Sequence, residues 1–358
     1  MRVWSESTEC GNPDTGKEGP HPLLSSGGGS PAPVLHVRDL QTVFETTAGP
    51  IRAVDGVSFD LFSEDILAIV GESGSGKSVT ALSLMNLVPA PPGRVVGGQI
   101  VLDGQDLRRL SIRDWEDVRG SKLGMVFQNP RAALHPSFTI GRQLTEALQR
   151  HNPHLSRREA KAELAAILRR LGFKDPGRVA ESHPHALSGG MCQRIALALC
   201  LAGRPRVIFA DEPTTALDVL VQATLLLMLK QIHENDRVPI VLITHDFGLV
   251  RALATRIAVM YCGQVQEEGL ADEILVRPRH PYTRALIACV PQKHDRSEKL
   301  FQIAGQMPDL AHLPKGCRFA PRCQNAMAVC RERTPELREV APNVRVRCHL
   351  HEPMSSAA

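Results

Sequence analysis

Two short stretches carry residue types at spacings suited to phosphate chemistry. GESGSGKS, at 71–78, follows the apolar run DILAIV and opens onto VTALSLMNLV. Gly71, Gly74 and Gly76 let backbone N–H groups turn inward around phosphate oxygens, and a helix starting behind them adds the positive end of its dipole. Lys77 is placed to reach β- and γ-phosphates and Ser78 to ligate Mg²⁺, with Ser73, Ser75 and Val79 completing the cradle. VIFADEP then ends an apolar run in Asp211 and Glu212. Asp211 suits the Mg²⁺ shell, and Glu212 suits orienting or deprotonating an attacking water. His245, in LITHD, stands where a side chain touches the γ-phosphate or that water. Alone, an acidic pair after a strand is commonly a helix start or solvated turn, and an isolated histidine is commonly structural. Their weight comes from the set.

The elements that must position these groups follow from hydrophobic period. DILAIV, RVIFAD and VPIVLITH are short, nearly all apolar and followed by polar residues, the pattern of strands buried on both faces. Alternation with helical stretches over 34–269 predicts an α/β domain with a mainly parallel sheet, its ligand edge at the strand C-termini. An insertion at about 129–190 has helical periodicity. In SRREAKAELAAILRRLGF, Ser156 and Glu159 stand at capping-box spacing, with Ala160, Leu164, Ile167, Leu168 and Leu171 on one face. Residues 1–33 read as a disordered tail, rich in Gly, Ser and Pro and without the apolar core of a secretory signal. A boundary is expected near Glu268, with 270–358 a separate extension.

ALSGGMCQR sets Ser188, Gly189 and Gly190 at the start of an apolar helix, a second anion site on one domain. With the phosphate loop (Walker A), VIFADEP (Walker B), Gln128 in VFQNP, TTALD ending at Asp218, and His245, the stretch 34–269 resembles the nucleotide-binding subunit of an ABC transporter. The resemblance implies an ABC-type P-loop NTPase with N-terminal antiparallel strands, a helical subdomain and ATPase activity with ATP and Mg²⁺. It implies a head-to-tail pair in which Ser188, Gly189 and Gly190 close over a partner's ATP. Gln128 would join Mg²⁺ and sense the γ-phosphate, Asp218 would connect the two sites, and Phe44 would stack on adenine. As a strand residue, Phe44 equally fits a core role. Met191 stands where many members have Gln, and Cys192 where near relatives have a basic residue.

Cys317, Cys323, Cys330 and Cys348 crowd into 32 residues of a chain with nine cysteines. With RHPYTRALIACVP before them, they resemble the C-terminal extension of dipeptide and oligopeptide importer ATPases. In relatives this set can carry a [4Fe–4S] cluster, and the resemblance implies these four as ligands. Chemically, four thiolates satisfy a cubane or a tetrahedral Zn²⁺ in ligand count. The spacing C-x5-C-x6-C-x17-C lacks C-x2-C knuckles, which disfavours a zinc ribbon without settling the choice, and unmetallated thiols remain open. The absent export signal places them in a reducing compartment, against disulfides.

Composition, 43% hydrophobic and 22% charged with net charge +4, suits a folded protein and does not by itself suggest nucleic-acid binding. No apolar run approaches the ~20 residues that span a bilayer. The resemblance therefore implies a peripheral subunit on the cytoplasmic face of the cell membrane. Its partners would be a second ABC ATPase, commonly a paralogue, two transmembrane permease subunits and an extracytoplasmic substrate-binding protein, with no nucleic acid. Nickel complexes and other solutes use similar ATPases, so the cargo is open. The rival readings are an ABC ATPase of DNA repair or translation, which the single cassette and missing heptads oppose, and a regulatory nucleotide binder, which Glu212 and His245 oppose.

Overall fold

The computed structural model describes residues 32–47, 49–215, 218–290 and 302–352. The expected tail at 1–33 lies almost wholly outside them. Two sheets organise the chain. The first is antiparallel, ordered β2 (Gly49–Leu61), β1 (Leu35–Thr46), β4 (Gly93–Leu102), β5 (Gln105–Asp106). Its alternating inward residues Leu35, Val37, Phe59, Ile100 and Leu102 are buried against Leu67, Ile69 and Phe209 of the second sheet.

At the centre of the second sheet are β3 (Ile66–Val70), β8 (Ile240–Thr244) and β7 (Val207–Asp211), parallel and buried at every position. Helices and the first sheet cover both faces, so these strands read as unbroken apolar runs rather than as alternation. β6 (Leu123–Val126) adds to β7, and β9 (Arg256–Tyr261) pairs parallel with β3. α1 (Lys77–Leu84) follows β3, α2 (Ile112–Val118) precedes β6, α7 (Val219–Asp236) joins β7 to β8, and α8 (Phe247–Leu253) joins β8 to β9.

The stretch following β6 holds helices α3 (Ile140–His151), α4 (Arg157–Arg170) and α5 (Pro176–Glu181), and α6 (Gly189–Ala202) starts at its end. Ser156 and Glu159 form the reciprocal capping box that starts α4. Ala160, Leu164 and Leu168 are buried against Leu144, Leu148 and Ile195, Leu171 is buried one turn on, and Ile167 is half-buried at the rim.

The extension departs from expectation, because it completes the main sheet rather than forming a unit of its own. β10 (Gln264–Leu270) pairs antiparallel with β9 on one side and with β12 (Val344–Val346) on the other, and β11 (Arg338–Ala341) closes the edge. Between them lie α9 (Ala271–Val276), α10 (Pro281–Ala288) and α11 (Val329–Glu332). Two buried carboxylates fix the join. Glu267 accepts from the backbone N–H groups of Arg279 at 2.6 Å and His280 at 3.0 Å. Glu268, 3% exposed, lies between Arg256 at 2.8 Å and Arg345 at 2.6 Å. Burying either group without these partners would cost several kcal/mol, so strand and extension stand together.

Candidate active site

The phosphate loop links β3 to α1. Its last glycine, Gly76, caps α1 at φ 102°, where a Cβ would overlap the carbonyl oxygen of Ala53. Only glycine satisfies both demands. Beside it the Ser75 hydroxyl is fully buried, an acceptor and donor in the anion cradle with no hydrogen-bond partner among the described residues. Lys77 Nζ donates to the carbonyls of Gly71 and Glu72, each at 2.8 Å. Burial pulls its pKa down, while Glu212, Asp211 and Glu72 oppose that shift. The ammonium is thus desolvated and aimed at the loop, as an anion site requires.

Ser78 Oγ donates to Asp211 Oδ1 at 2.9 Å, so the two oxygen donors expected to hold Mg²⁺ already meet. Burial raises the Asp211 pKa, and the Glu212 charge adds to it against the Ser78 bond and Lys77. A divalent ion would relieve both charges. Glu212 holds a left-handed backbone at φ 44°, a strained conformation for a glutamate. Its Oε2 accepts from Gln128 Nε2 and Thr215 Oγ1, each at 2.9 Å, and its Oε1 accepts from His245 Nδ1 at 3.0 Å. Burial pushes the carboxyl up, but the bonds from His245 and Thr215 and the charges of His245 and Lys77 hold it below the ordinary value.

These groups share one cavity of about 600 Å³, lined by Ser73, Gly74, Gly76, Lys77, Ser78, Val79, Gln128, Glu212 and His245, with Ala53 and Leu310. Sequence reasoning missed three participants. Thr215, three residues past Glu212 in DEPTT, was there to be noticed; Ala53 and Leu310 arrive from distant segments and carried no signal. Other expected residues lie elsewhere. Phe44 is half-buried, does not line the cavity, and has Cε1 2.7 Å from where a Cβ on Gly93 would be. Ser188 caps α6 through the N–H of Met191 at 3.3 Å, and Asp218 caps α7 through that of Val221 at 2.9 Å. The two helix starts touch, since a Cβ on Gly190 would strike Val221, while Ser188 and Asp218 are exposed and away from the chain's own cavity. Cys192 is buried, so that departure from the common pattern sits in the core.

Residues 54–215 match the ABC transporter family model, and residues 266–330 match the model described as oligopeptide/dipeptide transporter, C-terminal region. The dipeptide transport ATP-binding protein DppD of Bacillus subtilis (strain 168) is 46% identical over 297 residues, covering 83% of this chain and 88% of that protein. The chain belongs to the ATP-binding proteins of ABC transporters. The oligopeptide transport ATP-binding protein AppD of the same organism is 42% identical over 319 residues, 89% of this chain and 97% of that protein. Among solved structures, the ATP-binding cassette MJ0796, described as a dimeric post-hydrolysis state bound to ADP and Pi, is 26% identical with a TM-score of 0.60. It matches 66% of this chain and 98% of that one.

This ABC subunit is an ATPase. The phosphate loop, with Ser75 and Lys77, offers the donors that a triphosphate would need. Ser78, Asp211 and Gln128 are the residues that would hold Mg²⁺, which when bound would neutralise phosphate charge. Glu212, its carboxylate held by Gln128, Thr215 and His245, has the form that a general base toward water requires. Among the described residues no helix is long and apolar enough to cross a membrane. Transport by such a subunit therefore depends on membrane-embedded partners.

The four clustered cysteines give a different outcome from that expected. Cys317 and Cys330 are buried, and Cys323 and Cys348 pack half-buried against the same apolar cluster. The N–H of Cys317 donates to the carbonyl of Cys330 at 2.7 Å. Yet among the described residues no group of three or more His, Cys, Asp or Glu is arranged to hold a metal ion. Neither the zinc nor the iron–sulfur expectation at Cys317, Cys323, Cys330 and Cys348 finds a formed site.

Proposed function

We propose that this ATPase powers the import of di- or oligopeptides through a membrane ABC transporter. The observation that carries the reading is the match over both the cassette and the 266–330 region, since the second is described by peptide transport. In this reading two cassettes associate head to tail. Ser188, Gly189 and Gly190 of each meet the ATP of the other, and Asp218 links the two sites. Phe44 closes toward adenine in the nucleotide-bound state. ATP binding closes the pair and hydrolysis reopens it; a shift from mostly open to mostly closed needs about 5 kcal/mol of differential binding. The chain works peripherally at the cytoplasmic membrane face with a paralogous ATPase, two permease subunits and an extracytoplasmic binding protein. The test is ATPase activity of the assembled complex in proteoliposomes. Peptide-loaded binding protein should stimulate it several-fold; stimulation by a nickel complex and not by peptides would replace the cargo assignment.

The reading extends to Cys317, Cys323, Cys330 and Cys348 as ligands of a [4Fe–4S] cluster of structural role. The shared apolar cluster and the absence of disulfides among the described residues support it, and one thiolate per iron needs a wider array than a single zinc ion. Anaerobic purification should give iron and sulfide near four per chain, lost in Cys323→Ser. Stoichiometric zinc, or no metal, would overturn it.

A further inference from the structure

The second residue of the phosphate loop, Glu72, carries a negative charge on the segment that must accept a triphosphate. Its carboxylate is held away by the C-terminal extension. Arg322 Nη1 donates to Glu72 Oε2 at 2.8 Å and Oε1 at 3.2 Å. The guanidinium is 5% exposed and is itself fixed, through Nε to the carbonyl of Ala304 at 3.0 Å, Nη2 to that of Ile303 at 3.4 Å, and Nη1 to Tyr261 Oη at 3.2 Å. The backbone of Glu72 is gripped as well, its N–H donating to Tyr282 Oη at 2.9 Å. Further along the same connecting segment, Met307 Cε lies 2.9 Å from where a Cβ on Gly74 would be, and Leu310 lines the nucleotide cavity. The extension therefore meets the loop at Glu72 and Gly74 and reaches the cavity.

We propose that Arg322 is a positioning residue for ATP binding: it neutralises Glu72 and keeps that carboxylate off the phosphates and off Lys77. An exposed surface ion pair would carry little weight. This one is different because the arginine is buried and locked by three other acceptors, so it cannot leave to resolvate, and its partner belongs to the phosphate loop, where its own carbonyl accepts from Lys77. Freed of Arg322, Glu72 becomes an uncompensated charge beside the triphosphate and a competing partner for Lys77. One unit charge at such a place is worth roughly tenfold in binding.

The test is equilibrium binding of Mg-ATP to the full chain in four forms: natural, Arg322→Ala, Glu72→Gln and the double variant. Arg322→Ala should bind about tenfold more weakly, whereas Glu72→Gln, which leaves a buried positive charge beside the site, should bind as tightly or tighter. In the Glu72→Gln background the Arg322→Ala loss should shrink below about threefold. A purely structural staple would give the same loss in both backgrounds, and that result overturns the proposal. Arg322→Ala within twofold of the natural chain overturns it too. Should Arg322→Ala fail to fold, weaker binding by Glu72→Gln alone would refute the charge argument. Lys77→Ala serves as control, because a natural chain that does not bind ATP would sink the ATP assignment and leave the role of Arg322 a separate question.

Discussion

Replacing Glu212 by Gln tests the hydrolytic assignment most directly. The amide keeps the side-chain shape but cannot take a proton. Its single oxygen satisfies either the Gln128 and Thr215 donors, which converge on Oε2 at 2.9 Å, or His245 at 3.0 Å on Oε1. Two bonds outweigh one, so the oxygen faces Gln128 and Thr215 and the NH₂ faces His245. That histidine side chain is 63% exposed and can turn to water, so the lost contact costs within about 0.5 kcal/mol and Tm falls by about 1–2 °C. Losing a general base costs about 10²–10⁴-fold, or about 3–5 kcal/mol of barrier. The assay pairs steady-state ATPase of the assembled complex with Mg-ATP binding: turnover should fall at least a hundredfold with affinity within threefold of the natural chain. A fall of less than about threefold at saturating ATP would refute the assignment. The pH profile adds a second constraint. Because the Glu212 pKa is depressed below its ordinary 4.5, its contribution to stability is present above about 4.5 and disappears only as pH falls through the lower folded value. Loss of activity between pH 8 and 6 would belong to another group.

Three further outcomes follow from packing and capping. Leu168→Ala removes a fully buried side chain from the helical subdomain and should cost about 2–5 kcal/mol, read from urea unfolding of the full chain. Ser156→Ala deletes the α4 capping box and should cost about 1 kcal/mol by the same measurement, with ATP affinity unchanged. Glu268→Gln leaves Arg256 and Arg345 facing a neutral amide; with Arg345 37% exposed and able to resolvate, the loss should be about 2–3 kcal/mol, visible as a lowered Tm.

The cassette was readable because its chemistry is local. β3 and the phosphate loop are adjacent in the chain, as are β7 with Asp211 and Glu212, so an apolar run followed by polar residues located each group. The α4 face was equally legible from its 3.6 period and capping box. The extension was not. β11 and β12 have four and three residues, too short for a period, and the β10 residue that β12 pairs with, Glu268, lies 77 positions back from Arg345. The expected boundary near Glu268 therefore fell inside β10, a strand hydrogen-bonded on both sides. Glu72 was likewise opaque, since its partner is 250 positions away and the loop motif leaves its place unconstrained. For the cysteines, spacing fixed neither geometry nor metal, because ligand count alone suits more than one occupant.

The double pairing of β10 bears on how such ATPases can be recombined. A chimaera cut at the apparent family border, near residue 269, would leave β10 with a bare edge, Glu267 without the amides of Arg279 and His280, and Glu268 without Arg345. Unpaired edges invite association between chains, and unpartnered carboxylates loosen the strand that borders β9. The heritable module is therefore cassette plus extension, and a working exchange between relatives should move both together.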